Sequence, residues 1–366
     1  MAPLSVARTD TVAVISAVLQ TSFLGDMILT TPLLERLAAE GPVHVVATPA
    51  NAGILAHHPA VASVIVFDKR RADRGLAGMR RVAGLLRATR AERAFLAQGS
   101  LRTAAVARLA GIRERVGFDT SPGRLLYTRR VRFDGTRHHA ARLWSLASVG
   151  QDGGPSVPLR PSLYPGPDED AQVHALLAEF QVPVDESFIA LAPGSVWATK
   201  RWPSFDALAA ALVSQWPAPI PRCVVLGGPA DRPLANAIAA SVAARGGPTV
   251  VDATGRLSLL ASAALLRRAR VLVTNDSAPL HLASAMNTPT IALFGPTIPA
   301  FGFGPLADAH HILQVESLPC RPCHAHGPMQ CPLGHWRCMR DISASHVAEA
   351  VRSLHDAGGG MSREHP

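Results

Sequence analysis

Aromatic residues make up only 5% of the chain, with two tyrosines in 366 residues. No basic stretch is interleaved with aromatics, so the base-stacking platform of a single-stranded nucleic-acid binder is missing and no nucleic-acid partner is expected. Charged residues are also sparse at 17%, while hydrophobic residues reach 48%. That balance excludes an extended disordered chain. No uninterrupted apolar run approaches the roughly 20 residues of a membrane span. The most apolar N-terminal stretch, Thr11 to Leu19, is short, follows Asp10 and precedes no small-residue cleavage pattern, which argues against a signal peptide. A cytoplasmic protein is expected, at most peripheral to the inner membrane. Of five cysteines, four fall between Cys320 and Cys338, unlike a dispersed disulfide framework. No GxGxxG follows the first apolar run and no GxxxxGK[ST] occurs, so the dehydrogenase and P-loop signatures are absent.

What is present is a basic chain, with a formal charge of +9 and a pI near 10.3, suited to anionic surfaces or substrates. Its length exceeds one hydrophobic core and points to two domains. The first half alternates β-like runs (TVAVISAV, VHVVAT, SVIVF, RAFLA) with amphipathic stretches, including a helix from about Gly25 to Ala39. This is the rhythm of a parallel sheet covered on both faces. A Gly- and Pro-rich connection, 150–167, separates it from a second half in which FIALAPGS, CVVLGGP, TVVDATG, VLVTNDS and TIALFGP restart the rhythm. Domains of 1–160 and 161–342 follow, the second carrying a Cys-rich loop at 318–340. A last helix spans 343–357, and the tail GGGMSREHP is expected to fray. In open α/β sheets the ligand crevice lies at the carboxyl ends of the strands, so the loops at Pro193, Gly227, Gly255, Asp276 and Gly295 should converge.

Four segments carry candidate chemistry. VLVTNDSAPLHLASA closes a strand and opens a helix whose first N–H groups are unpaired, a ready anion site. Ser277 suits the N-cap and Pro279 the first turn. Ser277, Ala278 and His281 could contact phosphate, and Asp276 could accept sugar hydroxyls. A capped βα junction without a ligand would read the same way. At the end of the first strand, Gly25 permits a tight turn and Asp26 is the candidate general base, or simply an acid placed at a helix N-terminus. In PGS followed by KRWP, the Ser195 turn offers donors and Lys200 a positive charge for a leaving diphosphate. Trp202 and Pro203 suit a packing hinge. Cys320, Cys323, Cys331 and Cys338 start with a CxxC pair, and a structural zinc or iron ion is a candidate ligand. Reduced thiols or local disulfides are equally compatible with that spacing, and Cys223 reads as core.

LGD followed by TTP, then PGS…KRWP, then TNDSAPLHLASA, in this order and supported by LFGPT, resemble glycosyltransferase family 9. The resemblance covers nearly the full length. It implies a GT-B fold, two Rossmann-like parallel-sheet domains facing a central cleft. The N-terminal domain would bind the acceptor and the C-terminal domain the sugar nucleotide, with the last helix crossing back onto the first domain. It further implies inverting transfer of L-glycero-D-manno-heptose from ADP-heptose to an anionic lipopolysaccharide inner core, with no cofactor required. By motif, Asp26 matches the family's base, Lys200 its diphosphate-facing lysine and Asp276 to His281 its donor-binding turn. Two departures stand out: Ala278-Pro279 where the family often has Gly, and Val196 to Thr199 where a smaller loop is usual. A protein heptosyltransferase or another member of the family is the alternative within the class. A non-catalytic nucleotide-sugar-binding protein, and an epimerase acting on a nucleotide sugar, are alternatives outside it.

Overall fold

The computed structural model describes residues 13–148, 159–183 and 185–357. The expected frayed tail, and the first half of the Gly/Pro connection, lie outside these residues. Six strands form a first parallel sheet: β1 (Ser16–Gln20), β2 (Val43–Ala47), β3 (Ser63–Val66), β4 (Arg93–Phe95), β5 (Glu114–Phe118) and β6 (Arg129–Val131), in the order β3-β2-β1-β4-β5-β6. Six more form a second: β7 (Phe188–Ala192), β8 (Arg222–Val225), β9 (Val251–Asp252), β10 (Val271–Asn275), β11 (Thr290–Phe294) and β12 (His310–Gln314), in the order β12-β11-β10-β7-β8-β9. Both sheets therefore wind outward from a central pair, β1/β4 in one and β7/β10 in the other. Ligands of such sheets bind where the winding reverses, at the carboxyl ends of that pair.

Central strands are fully buried because helices cover both faces of a parallel sheet. Every residue of β1, β7, β10 and β11 is buried. The strands that the apolar pattern did not reveal include the sheet margins β6 and β12, where polar residues such as Arg129 and His310 stay exposed.

The helix Leu24–Ala38 shows how local sequence and packing combine. It completely buries Met27, Ile28, Leu29, Leu33, Leu34 and Leu37, each contributing about 1.5–3 kcal/mol. Pro32 lies inside it and removes the N–H that would bond the Ile28 carbonyl. The Thr31 hydroxyl donates to that carbonyl at 2.9 Å instead, which explains how TTP sits in a helix. One continuous buried cluster runs from Val18, Met27 and Leu33 in the first half to Leu272, Leu282 and Ala283 in the second.

The last helix differs from the crossing arrangement that the family resemblance implied. Its apolar face, Val347, Ala348, Val351 and Leu354, packs with Leu208, Leu212, Val271 and Val273 in the core of the second sheet. Arg270 donates to its His355 carbonyl at 2.8 Å, a cation placed where the helix dipole is negative. The hydropathic stripe of this helix is satisfied by the nearest apolar layer, the outer face of β10 and β11.

Candidate active site

Between the two halves lies a cavity whose walls include Gly25, Asp26, Ser195, Lys200, Asp276, Ser277, Ala278 and His281. The structure thus brings together, from three separate segments, all eight residues singled out as catalytic or substrate-binding.

Asp26 sits in the first turn of its helix, where its Oδ2 accepts the Phe23 N–H at 3.3 Å. Its Oδ1 lies 3.5 Å from His139 Nε2, in the helix His139–Ser145. The capping role and a role in proton transfer are compatible, since each oxygen has two lone pairs. Gly25 is not in a tight turn. It lies within the helix, and a Cβ there would come within 2.6 Å of His281 Cδ2. Close approach of the two halves, rather than backbone bending, is what requires glycine.

Across the cavity, the helix Ala278–Ala285 begins with Pro279 in its first turn, as expected. Ser277 occupies the N-cap position but makes no capping hydrogen bond. Its hydroxyl points to the Gly194 and Asn275 carbonyls at 3.5 and 3.4 Å. The first N–H groups of the helix therefore lack a side-chain cap and remain available to an anion.

Asp276 is already engaged within the protein through one of its oxygens. Its Oδ2 accepts from Lys200 Nζ at 2.6 Å and from the Thr297 hydroxyl at 2.7 Å, and both charged side chains are buried. Lys200 is thus held at the cavity wall by a buried ion pair, with donors left over. Asn275 ties the neighbouring turns together: its amide donates to the Pro193 carbonyl at 2.9 Å and its oxygen accepts the Trp202 N–H at 3.0 Å. Trp202 itself is buried and donates to the Ile342 carbonyl, as a packing residue should.

His281 is buried, and burial first of all pushes its pKa down to about 4. Its Nδ1 has no hydrogen-bond partner among the described residues. Its ring faces Phe303 at 6.3 Å. Two features were not anticipated from the sequence. One is the pair His138 and His139, which brings a second helix to the back of Asp26. The other is His326, whose ring stacks on Trp197 at 6.2 Å and lies 6.0 Å from Phe23. No motif flagged either feature, because the partners are far apart in sequence.

The Cys-rich segment forms a wall of this cavity through Ala325 and His326. The metal site that its spacing suggested finds no support there. Among the described residues, no group of three or more His, Cys, Asp or Glu side chains is placed to hold an ion. The four cysteines are free thiols. Cys323 Sγ donates to the Cys320 carbonyl at 3.0 Å, while Cys338 is buried in the second core and its thiol is pushed up to about 11, mainly by that burial. Arg321 supplies the anchoring instead. Its guanidinium donates to the Val315 and Thr297 carbonyls at 2.5 and 2.9 Å, to Gln314 Oε1 at 2.9 Å and to the Gly295 carbonyl. Cys223 is core, with its thiol raised to about 12 by burial.

Two reversed-winding sheets facing a cleft, with an uncapped helix N-terminus and a buried lysine on one wall and a carboxylate on the other, define a GT-B glycosyltransferase. A family model described as glycosyltransferase family 9 (heptosyltransferase) matches residues 79–336, and the chain belongs to that family. The lipopolysaccharide heptosyltransferase 1 of Pseudomonas aeruginosa is 30% identical over 326 residues, covering 83% of this chain and 84% of the relative. Among solved structures, a family 9 glycosyl transferase from Veillonella parvula superposes with a TM-score of 0.81 at 23% identity, covering 94% and 98% of the two chains. The ADP-heptose lipopolysaccharide heptosyltransferase II of E. coli gives 0.75 at 24% identity, covering 93% and 98%. No helix among the described residues is long and apolar enough to cross a membrane.

Proposed function

We propose that this glycosyltransferase transfers a heptosyl residue from ADP-heptose to a hydroxyl of the lipopolysaccharide inner core, with inversion at the anomeric carbon. The carrying observation is that Asp26, from the first half, and Lys200 and Ser277, from the second, line one cavity. In this reading residues 1–160 hold the acceptor and residues 161–342 the nucleotide sugar. Asp26 takes the proton of the acceptor hydroxyl, whose oxygen bonds to the anomeric carbon as the bond from that carbon to the diphosphate oxygen breaks. The charge left on ADP is met by the uncapped helix N-terminus and by Lys200. The chain's formal charge of +9 suits an anionic acceptor held at the face of the inner membrane.

Relatives named for lipopolysaccharide favour this acceptor over a protein. Because they carry the names heptosyltransferase 1 and II, the test offers two truncated cores, one without heptose and one already carrying a single heptose. Purified protein is incubated with ADP-heptose and each core, and ADP release and acceptor mass are followed together. A gain of one heptose on either core with stoichiometric ADP supports the reading and identifies the acceptor. Release of ADP with neither core extended, or transfer undiminished in Asp26→Asn, would refute it.

A further inference from the structure

Behind Asp26, outside the cavity wall, His139 makes a contact that the proposed reaction has not yet used. Asp26 is approached from two sides: Oδ2 accepts the Phe23 N–H of its own helix, and Oδ1 lies 3.5 Å from His139 Nε2 of a different helix, a contact at the outer limit of hydrogen bonding. An ionised carboxylate only accepts, so a bond between them requires the hydrogen on Nε2 and leaves Nδ1 bare. That Nδ1 is buried and has no partner among the described residues. Asp26 is therefore the polar contact that orients the ring.

The same ring is clamped to the other half of the molecule. It packs on Phe303 with centroids 4.9 Å apart, and the His139 N–H donates to the Gly302 carbonyl at 2.8 Å. His138 Nε2 bonds the Gly304 carbonyl at 3.1 Å, and its Nδ1 accepts the Ala140 N–H. Arg142 donates to the Phe301 carbonyl, and Gly302, at φ +93°, has no room for a Cβ beside that guanidinium. The segment 301–304 thus straps the start of the His139 helix to the second domain.

We propose that His139 is a positioning residue for Asp26: its Nε2–H fixes the carboxylate for proton abstraction, and it is in place only when the 301–304 strap holds the two halves together. This rests on the reading of Asp26 as the base. A neutral ring is the suitable partner, since it donates a hydrogen bond without placing a full positive charge beside the base. Burial, with Arg142 and His138 adding repulsion, holds the ring neutral by pushing its pKa down to about 3. The titratable and charged groups around the pair are Arg142 and His138 on the same element, His281 on the facing helix, and Lys200 and Asp276 across the cavity.

The test compares wild type, His139→Ala, His139→Phe, His139→Gln and Asp26→Asn as full-length protein in the ADP-heptose transfer assay. Phe keeps the packing against Phe303 without a donor; Gln restores an N–H donor. Loss of the donor should lower kcat about 10- to 100-fold, as expected for a misplaced catalytic group. The donor KM should stay within about threefold. Gln should return kcat toward wild type while the donor KM stays within the same range throughout. If Phe matches wild type in kcat, or if Gln is as impaired as Phe, the proposal is overturned. If Asp26→Asn keeps its transfer rate, the base assignment itself fails; if it is inactive while Phe is unimpaired, only the role of His139 fails.

Discussion

Replacing Gly25 by alanine sets two magnitudes against each other. Alanine in a helix interior is favoured over glycine by about 1 kcal/mol. The added Cβ, however, would lie 2.6 Å from His281 Cδ2, and His281 is itself buried against Phe303. Overpacking of this kind costs typically 1–3 kcal/mol, and a contact this short belongs at the upper end. That clash, about 3 kcal/mol at the upper end, falls on the approach of the two halves, whereas the helix gain is present whether or not they meet. Gly25→Ala should therefore melt at or slightly above the wild-type temperature while losing roughly 150-fold in kcat/KM. Thermal denaturation and the transfer assay on the same preparation check this. In combination with His281→Ala the loss should not add, because the clash is then gone. Full activity in Gly25→Ala, or a fall in activity matched by a fall in melting temperature, would refute the reasoning.

Lys200→Met leaves Asp276 buried with only the Thr297 hydroxyl; stability should fall by about 3–5 kcal/mol in urea denaturation. The double variant Lys200→Met/Asp276→Asn should regain most of that stability without regaining transfer. At the Cys-rich segment, dialysis against a strong chelator should leave the melting temperature unchanged, whereas Arg321→Met should cost about 3 kcal/mol by stranding buried carbonyls. Four histidines, the buried His58 and His281 and the partly buried His138 and His139, are held neutral in the fold, with pKa values pushed down to about 4 for His58, His281 and His138 and about 3 for His139, chiefly by desolvation. Between pH 6.5 and 4 the unfolded chain binds more protons than the folded one. Stability is thus fully present above pH 6.5 and is lost as pH falls, with a limiting slope of about 1.4 kcal/mol per pH unit for each histidine. Urea midpoints that stay flat from pH 6.5 to 5 would contradict this.

Much of the site was legible because it is local. The strand-to-helix junction at Asp276–Pro279 and the acidic first turn at Asp26 are written in consecutive residues, and the apolar runs of the central strands announce two parallel sheets. What could not be read depends on partners distant in the chain. That Asp276 pairs with Lys200, 76 residues earlier, leaves no local trace. The repeated histidine at 138–139 has no periodicity and gains meaning only beside Asp26. Gly25 was readable as special, but the reason lay in a helix more than 250 residues away. Cysteine spacing suggested a metal, yet spacing cannot show that Arg321, inside the same run, already fastens the segment to the ends of β11 and β12. Marginal strands such as β6 and β12 carry too few buried residues to stand out from loops.

Ala325 and His326 line the same cavity as Phe23 to Asp26, so segments about 300 residues apart in the chain meet in one site. This fixes when a nascent chain can first work. All strands of the first sheet have been synthesised once Val131 is made, but His326 follows 195 residues later, an interval of roughly 10–40 s at ordinary elongation rates. Throughout that time the candidate base exists without the wall formed by Ala325 and His326. A ribosome-bound intermediate or a chain cut short before residue 325 would carry a finished first sheet and no closed cavity, so activity should report on complete molecules alone.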